Sequence, residues 1–171
     1  MFYCNRQIKK APDAIIIKVM IIDIKSENEM KIFGKNIGNL LNGGEIIELI
    51  GDVGAGKTTL AKGIAVGLGI SEYVQSPSFT ISRVYDGRDG LKLAHYDFYR
   101  LNDAGVMADE LSETMTDKNV VTIIEWADVV SGVLPVDRLS ITIKAINENS
   151  RQVEIKAGGD VNNVLMDKVK P

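Results

Sequence analysis

One eight-residue segment constrains the fold of this chain more than any other part of its sequence. It runs from Gly51 to Thr58, reads GDVGAGKT, and matches the phosphate-binding pattern G-x-x-x-x-G-K-[ST] at every fixed position. The run 45–50 in front of it predicts a short strand, and residues 57–68 behind it predict a helix that ends at Gly69. Pattern and flanks together predict a strand–loop–helix unit whose glycines let backbone N–H groups approach an anion.

The residue types in this loop suit phosphates bound together with magnesium. The start of the helix adds the positive end of its dipole. Lys57 is long enough to reach β- and γ-phosphates, and the Thr58 hydroxyl suits an Mg²⁺ ion that bridges them. The alternative, a glycine-rich turn without a ligand, would require chance to supply both the pattern and its flanks. The candidate nucleotide-binding residues are Gly51, Asp52, Val53, Gly54, Ala55, Gly56, Lys57, Thr58 and Thr59, together with Trp126.

Two acidic residues end predicted strands and are candidates to complete the site. Glu125 follows the apolar run 120–124, which is typical of a strand buried on both faces, and Asp97 follows the strand 91–96. Ligands bind at the carboxyl ends of such parallel strands. We assign Glu125 to Mg²⁺, directly or through water, and Asp97 to orienting or deprotonating the attacking water. The reverse assignment stays open, and each acid alone could equally serve as a cap or in a salt bridge. With Lys57, these acids are the candidate catalytic residues.

Four further features near the loop have two readings each. The hydroxyls of residues 76–80 either close over the terminal phosphate or simply belong to a turn at Pro77. His95, the single histidine, is expected to be packed and hydrogen-bonded rather than a base. Trp126 either stacks on a base or a partner, or packs in the core. Arg100 either stabilises transferred charge or, as we expect, forms a surface ion pair.

The remaining pattern predicts an α/β domain with a mainly parallel sheet, antiparallel edge strands and helices on both faces, the P-loop NTPase fold. A capping box at 26–29 starts a first helix, and Met20 starts an edge strand. The domain is predicted to span 20–157, with an N-terminal extension 1–19, disordered or a mis-assigned start, and a C-terminal tail 158–171. The other predicted elements are strands 78–85 and 91–97, helix 102–115, strand 120–124, and a hairpin of 138–146 with 151–156.

Composition excludes several classes of function. A net charge of −3 argues against a broad face that grips nucleic acid. One cysteine, Cys4, cannot form an intrachain disulfide, which favours a reducing compartment. The apolar stretch Ala14–Ile24 has eleven residues and is too short to span a bilayer. We therefore expect a single cytoplasmic domain without a membrane partner.

Four segments in this order resemble the TsaE family, also called YjeE. They are GDVGAGKTT at 51–59, SPSFT at 76–80, HYDFYRL at 95–101 and IEWAD at 124–128, and the likeness covers roughly 21–156. The resemblance implies a small bacterial ATPase of tRNA threonylcarbamoyladenosine biosynthesis. Its partners would be TsaB-like and TsaD-like proteins, and ATP hydrolysis would reset that complex between turnovers. The tRNA would be contacted only indirectly, through the complex.

The resemblance also implies residue roles. Lys57 and Thr58 would hold nucleotide and metal, Glu125 would be the metal-linked acid, Asp97 the catalytic acid, and Thr80 would lie in a switch-like loop. Two positions depart from the family pattern: Ser78 replaces a threonine, and the pair 107–108 is Met-Ala in place of Leu-Gly. The second departure concerns partner contacts rather than ATP binding.

Two other functions would require sequence features of their own. A small-molecule kinase would need an acceptor pocket and normally an arginine-bearing lid, whereas Arg83, Arg88 and Arg100 are scattered. A GTP-dependent switch usually carries [NT]-K-x-D and D-x-x-G, and neither string occurs.

Overall fold

An eight-stranded sheet forms the centre of the computed structural model, which describes residues 6–7 and 18–169. The strands are β1 (Arg6–Gln7), β2 (Lys18–Ile24), β3 (Ile46–Ile50), β4 (Ser82–Asp86), β5 (Lys92–Asp97), β6 (Val120–Glu125), β7 (Leu139–Ala145) and β8 (Arg151–Ala157). The helices are α1 (Glu27–Gly38), α2 (Lys57–Gly67), α3 (Val106–Thr114) and α4 (Gly159–Lys168), with 3₁₀ turns at Arg88–Gly90 and Ala127–Val133.

The sheet has a parallel centre and antiparallel edges, which confirms the predicted fold class. Its strand order is β1-β2-β8-β7-β3-β6-β5-β4. Strands β7, β3, β6 and β5 run parallel, and the remaining neighbours pair antiparallel. The strand before the P-loop, β3, lies between β7 and β6. The parallel pairing brings the carboxyl ends of β3, β5 and β6 to one edge, where ligands bind in such sheets.

Helices cover both faces of this sheet. Buried side chains of α1, α2 and α4 join one apolar cluster, which includes Phe33, Leu60 and Leu165. A second cluster on the other face includes Leu111 of α3 and Val130 of the following 3₁₀ turn. The apolar faces of the helices therefore pack into two separate cores, because the sheet lies between the two sets of helices.

Some predicted boundaries are wrong, each for a local reason. The strand predicted from residue 78 begins at Ser82, because Ile81 adopts φ +67° and ends the loop. The helix predicted from residue 102 begins at Val106, after Gly105 at φ +49°. Strand β2 begins at Lys18, and because β1 flanks it, it is not the outermost strand.

The structure describes most of the predicted C-terminal tail but little of the predicted N-terminal extension. Residues 158–171, predicted as a tail, contain helix α4. Most of the predicted extension, residues 1–5 and 8–17, lies outside the described residues. Among the residues that the structure describes, no helix has the length and apolar character to cross a bilayer.

Candidate functional site

The P-loop joins the end of β3 to the start of α2 and depends on glycine backbone conformations. Gly51, Gly54 and Gly56 have φ values of +152°, +78° and +113°, which residues with a Cβ rarely adopt. A Cβ on Gly51 would also lie 2.5 Å from the Ile143 carbonyl oxygen. The turn is closed by a hydrogen bond of 3.1 Å from Ala55 N to Asp52 O. The predicted strand–loop–helix unit is therefore present.

Lys57, the first residue of α2, is a buried cation inside this loop. Its Nζ donates to the carbonyl oxygens of Gly51 at 2.6 Å and Asp52 at 3.0 Å. Burial lowers the pKa of Lys57, while the charges of Glu125 and Asp97 act in the opposite direction. Within the described part of the chain the ammonium forms no salt bridge, so its partners are neutral carbonyls. A buried ammonium with neutral partners is electrostatically complementary to an added anion.

Thr58 and Glu125 meet beside the loop, although 67 residues separate them. The Thr58 hydroxyl donates to Glu125 Oε1 at 3.4 Å, and the same oxygen lies 3.0 Å from His95 Nε2. Glu125 is 2% exposed, and His95 is fully buried. The expectation of a packed, hydrogen-bonded His95 is confirmed.

Asp97 lies opposite Glu125 in the parallel register of β5 and β6. Its Oδ2 accepts a hydrogen bond of 2.7 Å from Ser76 Oγ and another from Ser78 Oγ, and its Oδ1 accepts one of 3.0 Å from Tyr99 N. The hydroxyls of Ser76 and Ser78 thus bind the acid, a contact that the sequence did not predict. Because the two serines order this loop against the sheet, the loop is more than a turn at a proline.

The aromatic residues of the site lie beside Lys57 and the 76–80 loop. The Trp126 ring lies 4.3 Å below Lys57 Nζ and 4.9 Å from the ring of Tyr99, and it is partly buried. Trp126 therefore packs against the second apolar cluster and also contacts the P-loop lysine. The guanidinium of Arg100 lies 4.3 Å over Phe79, a stacking contact where a surface ion pair was expected. Thr80 lies in the same loop, and its hydroxyl donates to the Pro77 carbonyl oxygen at 3.5 Å.

A cleft of 580 Å³ opens on the other side of the P-loop, between the start of α1 and the turn that joins β7 to β8. Gly54, Ala55, Gly56 and Thr59 line it from the loop side. Arg151 lines it from β8 and donates through Nε to the Ala55 carbonyl oxygen at 2.8 Å. The sequence contains no signal for this contact, because Arg151 follows the loop by 96 residues and belongs to no motif.

The donor set fits magnesium held together with a phosphate ligand. Among the described residues, no group of three or more His, Cys, Asp and Glu forms a self-sufficient metal cage. Thr58 and Glu125 nevertheless supply a hydroxyl and a carboxylate in contact with each other. Mg²⁺ is commonly bound by one or two such oxygens together with substrate phosphates and waters. The predicted metal residues are therefore brought together, and the predicted catalytic residues Lys57, Asp97 and Glu125 converge on the same edge.

Comparison with known proteins points to one family. A family model described as "Threonylcarbamoyl adenosine biosynthesis protein TsaE" matches residues 24–153. The tRNA threonylcarbamoyladenosine biosynthesis protein TsaE of Bacillus subtilis is 37% identical over 142 residues, which cover 82% of this chain and 87% of that protein. The protein of the same name from Borreliella burgdorferi is 39% identical over 140 residues, covering 80% and 98%.

A solved structure agrees at the level of the fold. The crystal structure of Bacillus subtilis YdiB superimposes with a TM-score of 0.74 and 34% identity, covering 90% of this chain and 95% of that one. The family match spans the P-loop, both acidic strand ends and the 76–80 loop. The chain therefore belongs to the TsaE family of tRNA threonylcarbamoyladenosine biosynthesis proteins.

Proposed function

We propose that this protein binds ATP with Mg²⁺ and hydrolyses it to reset a TsaB–TsaD-like transferase complex during threonylcarbamoyl modification of tRNA. One observation carries the proposal: the P-loop, a buried lysine and two buried carboxylates converge at the carboxyl edge of the parallel strands. Family membership supports the pathway, and the arrangement of side chains supports nucleotide chemistry.

Binding is attributed to the loop and its immediate neighbours. The backbone N–H groups of residues 51–59 and the start of α2 would hold the phosphates, with Lys57 exchanging carbonyl partners for phosphate oxygens. The 580 Å³ cleft lined by Thr59 offers room for the nucleoside. Thr58 and Glu125 would hold Mg²⁺, which supplies charge neutralisation on the phosphates when bound. Trp126 keeps its ring against the ammonium of Lys57.

Hydrolysis is attributed to Asp97 as the residue that orients or deprotonates the attacking water. Its carboxylate is held at both oxygens, by Ser76 and by the Tyr99 N–H. No arginine contact that the structure describes reaches these acids: Arg100 stacks on Phe79, and Arg151 binds a loop carbonyl. Arginine typically supplies much of the charge stabilisation in phosphoryl transfer, so we expect slow turnover until a partner completes the site.

The proposed partners are proteins rather than RNA. A net charge of −3 disfavours direct tRNA binding, so tRNA would be reached only through the TsaB-like and TsaD-like proteins. The reset would follow if ATP and ADP forms bind that complex with different affinities, because a ligand shifts an equilibrium only by its differential affinity.

Titration calorimetry tests the binding step, with ATP and Mg²⁺ added to the purified chain. We expect a heat of association for ATP that GTP does not reproduce. No heat with either nucleotide, even with the partner proteins present, would overturn the proposal. Tighter binding of GTP than of ATP would favour a GTP-dependent switch instead.

A pull-down of the partner proteins with ATP, ADP or no nucleotide tests the reset. We expect capture to depend on the nucleotide state, and phosphate release to rise when the complex is added. Stimulation of ATP turnover by a small hydroxyl compound, with no effect of the proteins, would favour a small-molecule kinase.

A further inference from the structure

His95 is the single histidine of the 171-residue chain and lies in β5, fully buried. Burying a polar ring costs free energy unless hydrogen bonds compensate it. Only one of its two nitrogens has a partner among the described residues: Nε2 lies 3.0 Å from Glu125 Oε1, and Nδ1 is buried without one. The ring is therefore committed to a single contact, and that contact is with a candidate metal ligand.

The chemistry of the pair fixes which nitrogen carries the proton. A carboxylate can only accept a hydrogen bond, so Nε2 must be the N–H that donates. In a neutral imidazole the proton on Nε2 leaves Nδ1 as a bare lone pair. In this tautomer Nδ1 carries no hydrogen, so the unpartnered nitrogen is an acceptor rather than a donor.

The contact restrains Glu125 through one oxygen only. Oε1 accepts from His95 Nε2 and, more weakly at 3.4 Å, from the Thr58 hydroxyl. No described residue donates a hydrogen bond to Oε2, which leaves that oxygen for a ligand. When a residue that orients a metal-ligating side chain is removed, metal affinity typically falls by about 10- to 100-fold.

We infer that His95 is a positioning residue that holds Glu125 by its Nε2–H so that the carboxylate presents its other oxygen to the nucleotide-bound metal. The inference rests on the proposed function, since it requires Mg²⁺ at Thr58 and Glu125. It predicts that the site of the proton donor on residue 95, rather than the bulk of its side chain, decides metal affinity.

Two substitutions separate donor position from packing. In His95→Gln the amide Nε2 lies as many bonds from Cα as the imidazole Nε2 does, whereas in His95→Asn the amide nitrogen matches the position of Nδ1. We expect His95→Asn to weaken Mn²⁺ binding in the presence of ADP by about 10- to 100-fold, measured by electron paramagnetic resonance. His95→Gln should retain an affinity within a few-fold of the wild type, and ADP binding in EDTA should be unchanged in both.

A second measurement needs no substitution and is therefore independent of folding defects. The untagged protein, labelled with ¹⁵N-histidine, has one imidazole, and long-range ¹H–¹⁵N correlation spectra report its tautomer directly. We expect the Nε2–H tautomer, and a shift of the Nε2 resonance when Mg²⁺ is added to the ADP complex, because the metal polarises the accepting carboxylate.

The outcomes distinguish this inference from the proposed function. An Nδ1–H tautomer, no response to Mg²⁺, or equal losses of Mn²⁺ affinity in the Gln and Asn variants would overturn the role of His95 while leaving ATP binding intact. If the wild type binds ADP identically with and without Mg²⁺ and does not bind Mn²⁺, the proposed metal site itself is wrong.

Discussion

At the scale of single residues, the candidate site is dominated by buried charge. Lys57, Asp97 and Glu125 are each no more than 5% exposed. Charges in such positions cost free energy unless partners compensate them, and here the partners are hydroxyls, carbonyls, one backbone N–H and one imidazole. One buried ammonium and two buried carboxylates with mostly neutral partners are what the proposed binding of ATP with Mg²⁺ requires.

Replacing Asp97 tests the assignment of the acid that acts on water. In Asp97→Asn we expect ADP affinity within a few-fold of the wild type, because no phosphate-binding group is removed. Phosphate release with the partner proteins should fall by at least about 100-fold, as is typical for loss of a general base. Asp86→Asn, at an exposed strand end, is the matched control. Normal hydrolysis by Asp97→Asn would show that its assigned role is wrong.

Lys57 gives the stability of the protein a defined pH dependence. Burial lowers its pKa below the ordinary 10.5, so between the lowered value and 10.5 the unfolded chain binds more protons than the folded one. Stability from this residue therefore rises with pH across that interval. Urea unfolding from pH 7 to 10.5 should show the wild type gaining stability relative to Lys57→Met as the pH approaches 10.5. A difference that stays constant with pH would contradict this linkage.

At the scale of elements, the P-loop helix is held by an unusually close approach of α1. Gly34 and Gly38 of α1 face Gly63 and Gly67 of α2: a Cβ on Gly34 would lie 2.9 Å from Gly63 Cα, and one on Gly38 would lie 3.0 Å from Gly67 Cα. Because glycine removes the side chains, the two backbones pack directly. This contact sets the position of α2, and hence of Lys57 and Thr58.

Gly34→Ala tests this packing. The added methyl group would also lie 2.5 Å from the Leu60 carbonyl oxygen, which is backbone and cannot rotate away. We expect a loss of about 1–3 kcal/mol in the free energy of unfolding, opposite in sign to the usual gain from alanine in a helix. Gly132→Ala, where a Cβ meets nothing within 4 Å, is the control. Denaturant unfolding that shows equal stability for both variants would contradict the close packing.

At the scale of the whole molecule, the sheet order assembles the site and the C-terminal helix closes the core. Leu165, Met166 and Val169 are buried in the same cluster as the side chains of α1 and α2. The segment predicted as a tail is therefore part of the fold.

Two neighbouring residues of α4 make that conclusion testable. Leu165→Ala removes a buried side chain and should cost about 2–5 kcal/mol of stability. Val164→Ala, at a position 54% exposed, should change stability by no more than about 0.5 kcal/mol. Similar thermal midpoints for the two variants would mean that α4 does not pack on the sheet.

The sequence by itself determined the fold class, the P-loop and the two acidic residues, Glu125 and Asp97, that are candidates to act with it. These features are local: the glycine spacing of residues 51–58, the apolar run that ends at Glu125 and the strand that ends at Asp97 each carry their own pattern. Once strands alternate with helices, a parallel sheet must bring those ends to one edge. The predictions followed from geometry within a few residues of each motif.

Only the tertiary structure decided which side chains touch. The serines on Asp97, the imidazole on Glu125 and Arg151 on the P-loop join residues 19 to 96 positions apart. Strand register and loop conformation, such as the positive φ of Ile81, set these distances. Sequence patterns report which face of an element is apolar, whereas contacts between distant elements depend on how the elements pack, and no local spacing encodes that.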